Sequence, residues 1–168
     1  NNVIAGYGEN IICPNCLSTA RERLVLAMLQ TFLPVSGKKI LHLSPEKKIF
    51  SYIKKQAEVT TADLTPGFYK IIDPGIQQQD LTHLLFDDAC FDIIIGNHIL
   101  EHIPDDQKAM AELFRVLKPG GHAVLQVPFS ATNISIIESP EINSSALQSA
   151  KFGQKDHVRI YTLPGYLE

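Results

Sequence analysis

Three polar residues of this chain each follow a predicted strand, and their side chains suit ligand binding. They are Asp63, Asp80 and Asn97, with Leu81 directly after Asp80 and Gly96 directly before Asn97. A carboxylate accepts two hydrogen-bond donors at once, and an amide both donates and accepts. Ligands of open parallel sheets bind outside the carboxyl ends of the strands. We therefore predict that these residues share one binding site.

Two histidine motifs are candidates for catalysis. Glu101 precedes His102, and Asp156 precedes His157, with Arg159 two positions further on. A histidine near its ordinary pKa can act as a general base, and an Asp–His pair would orient the imidazole. Arg159 would suit an acidic substrate group. Both motifs are also compatible with structural roles: Glu101 and His102 would be structural loop residues, and the second motif would fix the insertion to the edge of the sheet.

The cysteines do not form a complete metal or disulfide pattern. Cys13 and Cys16 form one C-x-x-C, and Cys90 stands alone. Because a tetrahedral zinc site needs a second such pair or added histidines, we predict no metal in this chain. Few cysteines favour a reducing, cytoplasmic location.

Composition excludes some function classes. The 168 residues carry 15 Lys and Arg against 18 Asp and Glu, a net charge of −3. A nucleic-acid partner would call for a basic footprint, so none is expected. No apolar run approaches the length of a membrane span, and no membrane association is expected.

Hydrophobic periodicity predicts alternating strands and helices. Helices are expected at residues 19–32, 45–56 and 105–117, and strands at 39–43, 58–62, 76–79, 91–96 and 122–127. This alternation indicates βαβ units and a Rossmann-like, doubly wound, mostly parallel α/β sheet with helices on both faces. We divide the chain into a segment at 1–34 and a domain at 35–168.

Two details of these elements are also predicted. The apolar face of the helix at 105–117 should comprise Met110, Leu113, Phe114 and Leu117. Residues 130–155, which are rich in Ser and Asn, should form a long loop or a partly helical insertion beside the site.

A known family shares much of this pattern. The run FDIIIGNHILEHIPDDQKAMAELFRVLKPGGHAVLQVPF at residues 91–129 resembles class I S-adenosyl-L-methionine-dependent methyltransferases of type 11, and the resemblance covers residues 38–129. It implies strand order 3-2-1-4-5, with edge strands 6 and 7 missing or replaced, and S-adenosyl-L-methionine as cofactor. A small-molecule or glycan acceptor is expected. An exposed sheet edge would favour a homodimer.

A narrower resemblance extends this in both directions. CPNCLSTARERL at residues 13–24 and FGQKDHVRIY at residues 152–161 are similar to a bacterial methyltransferase subgroup. In that subgroup the C-x-x-C implies a second, upstream pair, so Cys13 and Cys16 could be half of a zinc site in a longer chain.

The resemblance assigns roles to the strand ends. Asp63 would accept from the ribose hydroxyls, Asp80 and Leu81 would contact the adenine, and Gly96 and Asn97 would face the methionine portion. The alternative is that the two aspartates are ordinary turn residues.

One motif departs from the family. The glycine loop that lets backbone approach the cofactor is replaced by HLSPE, so His42, Ser44, Pro45 and Glu46 would form the contact. Either cofactor binds through altered contacts, or this is a non-catalytic binding module on a retained scaffold. A nucleotide- or NAD-dependent enzyme is disfavoured, because neither G-x-G-x-x-G nor G-x-x-x-x-G-K-[ST] occurs.

Overall fold

The computed structural model describes residues 11–133, 135–139 and 141–167. The α-helices in these ranges are α1 (Ala20–Thr31), α2 (Lys47–Ile53), α3 (Asp106–Val116), α4 (Ser145–Phe152) and α5 (Leu163–Leu167). The strands are β1 (Lys39–Leu43), β2 (Glu58–Asp63), β3 (Gln77–Gln78), β4 (Phe91–Asn97), β5 (Leu117–Gln126), β6 (Phe129–Ser130), β7 (Ile137–Glu138) and β8 (Arg159–Thr162). Short 3-10 helices cover Pro66–Ile71 and Leu100–His102.

The main sheet has the predicted topology. Its five strands run in the order β3-β2-β1-β4-β5, and each neighbouring pair is parallel. Leu43, at the end of β1, is level with Ala62 of β2 and Gly96 of β4. The carboxyl ends of the central strands therefore meet at one edge, which is where the polar residues were expected.

Both faces of this sheet are covered by apolar side chains. On one face, Leu41 and Leu43 belong to the same cluster as Leu113 of α3. On the other face, Ile40 clusters with Val25 of α1 and with Ile49 and Ile53 of α2. Strand alternation explains the division, since successive side chains point to opposite faces. Helix α1 thus packs on the sheet. The division of the chain into two parts at residue 34 stays a prediction.

Helix α1 begins where the sequence indicates. The Thr19 hydroxyl accepts from the backbone N–H of Glu22, and the Glu22 carboxylate accepts from the backbone N–H of Thr19 at 2.8 Å. This capping box satisfies two backbone donors that the helix itself leaves free.

Helix α2 is shorter than predicted. Residues 45–56 were expected to be helical, but the helix starts at Lys47 because Glu46 has extended backbone angles (φ −95°, ψ 133°). Ser44 takes a left-handed φ of +44°. Pro45 consequently lies in a turn before the helix rather than in its first turn.

The predicted face of α3 was partly wrong. Phe114 is 81% exposed and Met110 is 43% exposed, whereas Ala109, Leu113 and Val116 are buried. The buried residues follow the i, i+4, i+7 spacing of one helix face. The two larger side chains lie one position further along the chain, which rotates them towards solvent.

Gly121 is required by close packing between β5 and β4. A Cβ on this residue would lie 2.8 Å from Leu117 Cδ1 and 2.9 Å from the backbone oxygens of Asp92 and Lys118. Two of these contacts are with backbone, which cannot easily move aside.

The C-terminal part forms a second, smaller sheet. Its order is β6-β8-β7, with β8 parallel to β6 and antiparallel to β7. The segment predicted as a long loop or partly helical insertion contains α4, which Ser144 caps and Gly153 (φ +81°) ends. Pro140 lies outside the described residues.

None of the helices in the described ranges is long and apolar enough to cross a bilayer.

Candidate functional site

A cleft of about 760 Å³ opens at the carboxyl edge of the main sheet. It brings together most of the residues singled out from the sequence: Ser44, Pro45, Glu46, Asp63, Asp80, Leu81, Asn97, His102, Asp156 and His157. The cleft is within the size range of small-molecule sites.

The loop after β1 makes its tight turn without glycine. Ser44 adopts φ +44°, a conformation that glycine reaches at no steric cost. Two contacts hold it there: its backbone N–H donates to the Ala62 carbonyl at 2.9 Å, and its hydroxyl donates to Asp63 Oδ2 at 2.6 Å. These two hydrogen bonds to β2 thus stabilise a left-handed backbone conformation that a glycine would adopt without strain.

His42 lies beneath this loop and does not line the cleft. Its ring is fully buried on the same side of the sheet as Ile40, because alternate residues of a strand share a face. Burial lowers its pKa to about 3, so the ring is neutral. Nε2 accepts from the Glu46 backbone N–H at 3.4 Å. The predicted direct contact with a ligand is therefore corrected to support of the loop.

Gly96 also serves packing rather than ligand contact. A Cβ there would lie 3.2 Å from Leu125 Cδ2 and 3.3 Å from Ile99 Cδ1, inside the layer beside β4. Gly96 does not line the cleft, which corrects the prediction for this residue.

Glu46 and Asn97 form one wall of the cleft. Asn97 Nδ2 donates to Glu46 Oε2 at 2.6 Å, and Arg21 Nε donates to Glu46 Oε1 at 3.0 Å. Burial raises the pKa of Glu46, while the contacts with Asn97 and Arg21 act in the opposite direction. Asn97 Oδ1 is buried and has no hydrogen-bond partner among the described residues.

Asp63 is held at the end of β2 by its neighbours. Oδ1 accepts from the Thr65 backbone N–H at 2.7 Å and from the Thr65 hydroxyl at 3.1 Å. With the Ser44 contact, three of about four acceptor positions on the carboxylate are used. Tyr69 faces the same space, and burial, followed by the charge of Asp63, raises its pKa.

Asp80 and Leu81 form the far wall. Asp80 Oδ1 accepts from the Thr82 backbone N–H and hydroxyl, both at 2.8 Å, and these bonds lower the pKa of Asp80. The Asp80 carboxylate is exposed, whereas Leu81 is buried. The turn role considered for Asp80 is thus present, and the carboxylate still faces the cleft.

At the other end of the cleft the two histidine motifs meet. The rings of His102 and His157 stack edge-to-face with centroids 4.8 Å apart. Asp156 lies beside His102, with Oδ2 3.5 Å from Nδ1. The predicted pairing of Asp156 with His157 is therefore wrong, because the chain turns Asp156 towards the neighbouring ring. Burial, and next the charge of His102, lowers the pKa of His157.

The Arg159 side chain is bound by neighbouring residues of the protein. Its guanidinium is 5% exposed and contacts Asp106 at 2.5 Å, Glu138 at 2.9 Å and the Pro104 carbonyl at 2.8 Å. The Tyr161 hydroxyl donates to Asp106 within the same network. Of the two roles considered for Arg159, the geometry favours the structural one, which ties β8 to β7 and to the start of α3.

Arg21, Tyr69 and His98 are among the cleft residues that were missed from the sequence. Arg21 lies in the first turn of a helix whose apolar spacing predicts packing only, and Tyr69 lies in a segment without clear periodicity. His98 directly follows Asn97 with a left-handed φ of +54°. Its place after a strand end was a usable signal.

The C-x-x-C lies in a tight turn outside the cleft. Cys13 N–H donates to the Ser18 carbonyl, Leu17 N–H donates to the Cys13 carbonyl, and both thiols are free. Cys16 Sγ is 3.0 Å from the Ser18 hydroxyl, a contact that lowers its pKa to about 7. The zinc half-site stays a prediction.

Comparison with known families places residues 44–125 in register with a family model described as a methyltransferase domain. This match runs from the first residue of the turn after β1 to near the end of β5, and it includes the cleft residues Glu46, Asp63, Asp80 and Asn97.

Two curated methyltransferases are similar to this chain in sequence. The chain is 29% identical over 144 residues to the phthiotriol/phenolphthiotriol dimycocerosates methyltransferase of Mycobacterium leprae, covering 70% of the chain and 52% of that protein. It is 31% identical over 120 residues to the demethylmenaquinone methyltransferase of Clavibacter sepedonicus, covering 65% and 49%. The chain spans about half the length of the curated relatives it matches.

Solved structures share the fold. An S-adenosylmethionine-dependent methyltransferase from Mesorhizobium loti has a TM-score of 0.61 at 18% identity, covering 84% of this chain and 76% of that one. The 1,6-didemethyltoxoflavin-N1-methyltransferase of Burkholderia thailandensis, solved with S-adenosylhomocysteine bound, has a TM-score of 0.62 at 19% identity, covering 86% and 63%.

These comparisons support S-adenosylmethionine as the cofactor. They do not show that the C-x-x-C and the D-H-V-R-x-Y segment identify a bacterial subgroup. The assignment of this chain to that subgroup therefore stays a prediction. Residues 44–125 match the model of a methyltransferase domain, and the chain shares its fold with an S-adenosylmethionine-dependent methyltransferase of known structure.

Proposed function

We propose that this chain transfers a methyl group from S-adenosylmethionine to a small-molecule acceptor. The observation that carries the proposal is the turn at Ser44, which takes a left-handed backbone without glycine and places Ser44, Glu46 and Asp63 in one cleft. The residues that depart from the family pattern thus still make a turn at the carboxyl edge of the sheet.

The donor set fits the cofactor. Asn97 Oδ1 is a buried acceptor without a partner among the described residues, which suits the ammonium of a methionine moiety. Asp63 has about one acceptor position left for a ribose hydroxyl. The exposed carboxylate of Asp80 suits the exocyclic amine of adenine.

We place the acceptor at the opposite end of the cleft, against His102, Asp156 and His157. When bound, S-adenosylmethionine supplies a methyl group already activated on a sulfonium. The transfer then needs alignment and proximity more than acid–base groups. The proposed role of the two imidazoles is therefore to hold and orient the acceptor.

An apolar groove adjoins the cleft. It has a volume of about 420 Å³ and adjoins the cleft at Arg21 and His98, which line both. Its remaining walls are largely apolar: Ala20, Leu24, Leu125, Val127, Phe129, Leu163 and Tyr166, with Gln126. We propose that it takes an apolar part of the acceptor, which favours a hydrophobic small molecule over a glycan.

The names of the compared proteins support a small-molecule acceptor. The Clavibacter protein is named for demethylmenaquinone, and the Burkholderia structure holds 1,6-didemethyltoxoflavin. The alternative of a non-catalytic binding module is not favoured by these comparisons.

The test is turnover. The protein is incubated with S-adenosylmethionine and a panel of aromatic, lipid-like and glycan acceptors, and release of S-adenosylhomocysteine is measured by mass spectrometry. We expect release with at least one apolar acceptor and a large loss in Asp63→Ala. Cofactor binding without turnover on any acceptor would contradict the proposed activity.

Self-association through the free edge of the main sheet is a further proposal. Among the described residues β5 pairs only with β4 in that sheet. Size-exclusion chromatography with light scattering tests it, and a monomer at high concentration would contradict it.

A further inference from the structure

We infer that Glu101, His102 and His157 bind a divalent first-row transition cation inside the cleft. One donor atom from each residue lies within 4.8 Å of the other two, and all three residues line the cleft. The inference goes beyond the proposed function, since it concerns metal binding by the protein itself and does not depend on methyl transfer.

The first argument is the state of Glu101. Its side chain is 0% exposed, and neither carboxylate oxygen has a hydrogen-bond partner among the described residues. His98 Nδ1 lies 3.2 Å from Oε1 but is not aligned for a hydrogen bond. A buried carboxylate without partners is unfavourable. A cation at this cluster would supply both the charge and the ligand that the carboxylate lacks.

The second argument is the orientation of His102. Its Nδ1 lies 3.2 Å from the Asp156 carbonyl oxygen. A carbonyl only accepts, so Nδ1 carries the hydrogen and donates it. Nε2 then keeps its lone pair. Metal-binding histidines are held by this arrangement, with the far nitrogen bonded to a carbonyl or carboxylate.

The donor types select the cation. Two imidazoles and one carboxylate suit Zn²⁺, Co²⁺ or Fe²⁺ rather than Mg²⁺ or Ca²⁺, which prefer oxygen ligands. Tetrahedral coordination would bring the donors to about 3.4 Å from one another. Side-chain rotation of the half-buried His102 and His157 would close the remaining gap. Three protein ligands leave a fourth position for water or an oxygen of a bound molecule.

The test uses Co²⁺ alone, in a Cys13→Ser, Cys16→Ser background that removes the only thiol pair of the sequence. Visible absorption should show one Co²⁺ per chain, displaced by Zn²⁺. His157→Ala should weaken Co²⁺ binding at least about tenfold. The matched control is His122→Ala, which removes an exposed histidine outside the cleft and should leave binding unchanged.

Glu101→Gln and circular dichroism guard against misfolding. Glutamine keeps the shape of the side chain but loses the charge, so a folded Glu101→Gln protein should also lose Co²⁺. Absence of Co²⁺ absorption in the background protein, or equal binding by folded His157→Ala, would overturn the inference. Titration of the same sample with S-adenosylhomocysteine separates the two proposals, because retained binding of that ligand leaves the proposed function standing.

Discussion

Asp63 offers a sharp test of the cofactor site, because the chain contains a matched control. Asp73 lies nearby, outside the cleft, and makes the same kinds of contact. Its Oδ1 accepts from the Gly75 N–H at 3.1 Å, and its Oδ2 accepts from the Thr61 hydroxyl at 2.7 Å. Asp63→Ala and Asp73→Ala therefore remove the same kinds of internal hydrogen bond, three in the first variant and two in the second.

The stability cost of both variants should be similar. Asp73→Ala loses one turn contact and one hydroxyl contact to its carboxylate, and Asp63→Ala loses one hydroxyl contact more. At about 1 kcal/mol for each hydrogen bond, the cost is about 2 kcal/mol in Asp73→Ala and about 3 kcal/mol in Asp63→Ala. In a protein of this size these losses lower Tm by about 4–12 °C, measurable by calorimetry or circular dichroism.

The affinity for S-adenosylhomocysteine should distinguish Asp63→Ala from Asp73→Ala. Asp63 has about one acceptor position left, and one hydrogen bond to a charged group is worth about 1.5–3 kcal/mol. The Kd for S-adenosylhomocysteine should therefore rise by about tenfold to a hundredfold in Asp63→Ala and stay unchanged in Asp73→Ala. Calorimetric titration of both variants measures this. Equal affinity in Asp63→Ala and the parent protein would refute the assignment of Asp63.

Two further predictions concern stability. Gly121→Ala should lower the free energy of unfolding by about 2–3 kcal/mol through overpacking against backbone. Gly67→Ala, with open space around the added Cβ, is its control in denaturant titrations. A hydrogen bond from Arg115 is the main cause that lowers the pKa of Glu112 to about 2, below its ordinary value of 4.5. Its stabilisation should be complete above pH 4.5 and lost as pH falls towards 2, so the Tm difference between the parent and Glu112→Gln should shrink over that range. A difference independent of pH would contradict the assignment.

The sheet could be predicted because its signals are local. The apolar runs that form β1 and β4 are buried on both faces, and each ends in polar residues that the topology brings to one edge. The positions of Asp63, Asp80 and Asn97 follow from that rule and from the family resemblance. All three line the cleft, and their contacts with a ligand stay predictions.

Other features depend on tertiary packing that periodicity does not encode. Met110 and Phe114 fit an apolar helix face, but the register of α3 on the sheet turns them outwards. Asp156 is adjacent to His157 in sequence, and only the fold of residues 153–158 directs it to His102. His42 is buried because it belongs to β1, and strand alternation puts it on the same face as Ile40. This could be inferred only once the loop after β1 was known to begin at Ser44.

The left-handed turn at Ser44 is the least predictable element. A serine with φ +44° is uncommon, and nothing in the sequence HLSPE indicates it without the contacts to Ala62 and Asp63. This is the position at which the chain departs from the glycine loop of the methyltransferases it resembles, and the proposed cofactor binding depends on it.

Isothermal titration of the protein with S-adenosylhomocysteine therefore tests the central claim most directly. The structure predicts saturable heat with one site per chain, because the turn at Ser44, Asp63 and Asn97 together present the required donors and acceptors. Absence of heat at millimolar ligand, in a protein shown to be folded, would contradict the claim that the HLSPE loop replaces a glycine-rich cofactor loop.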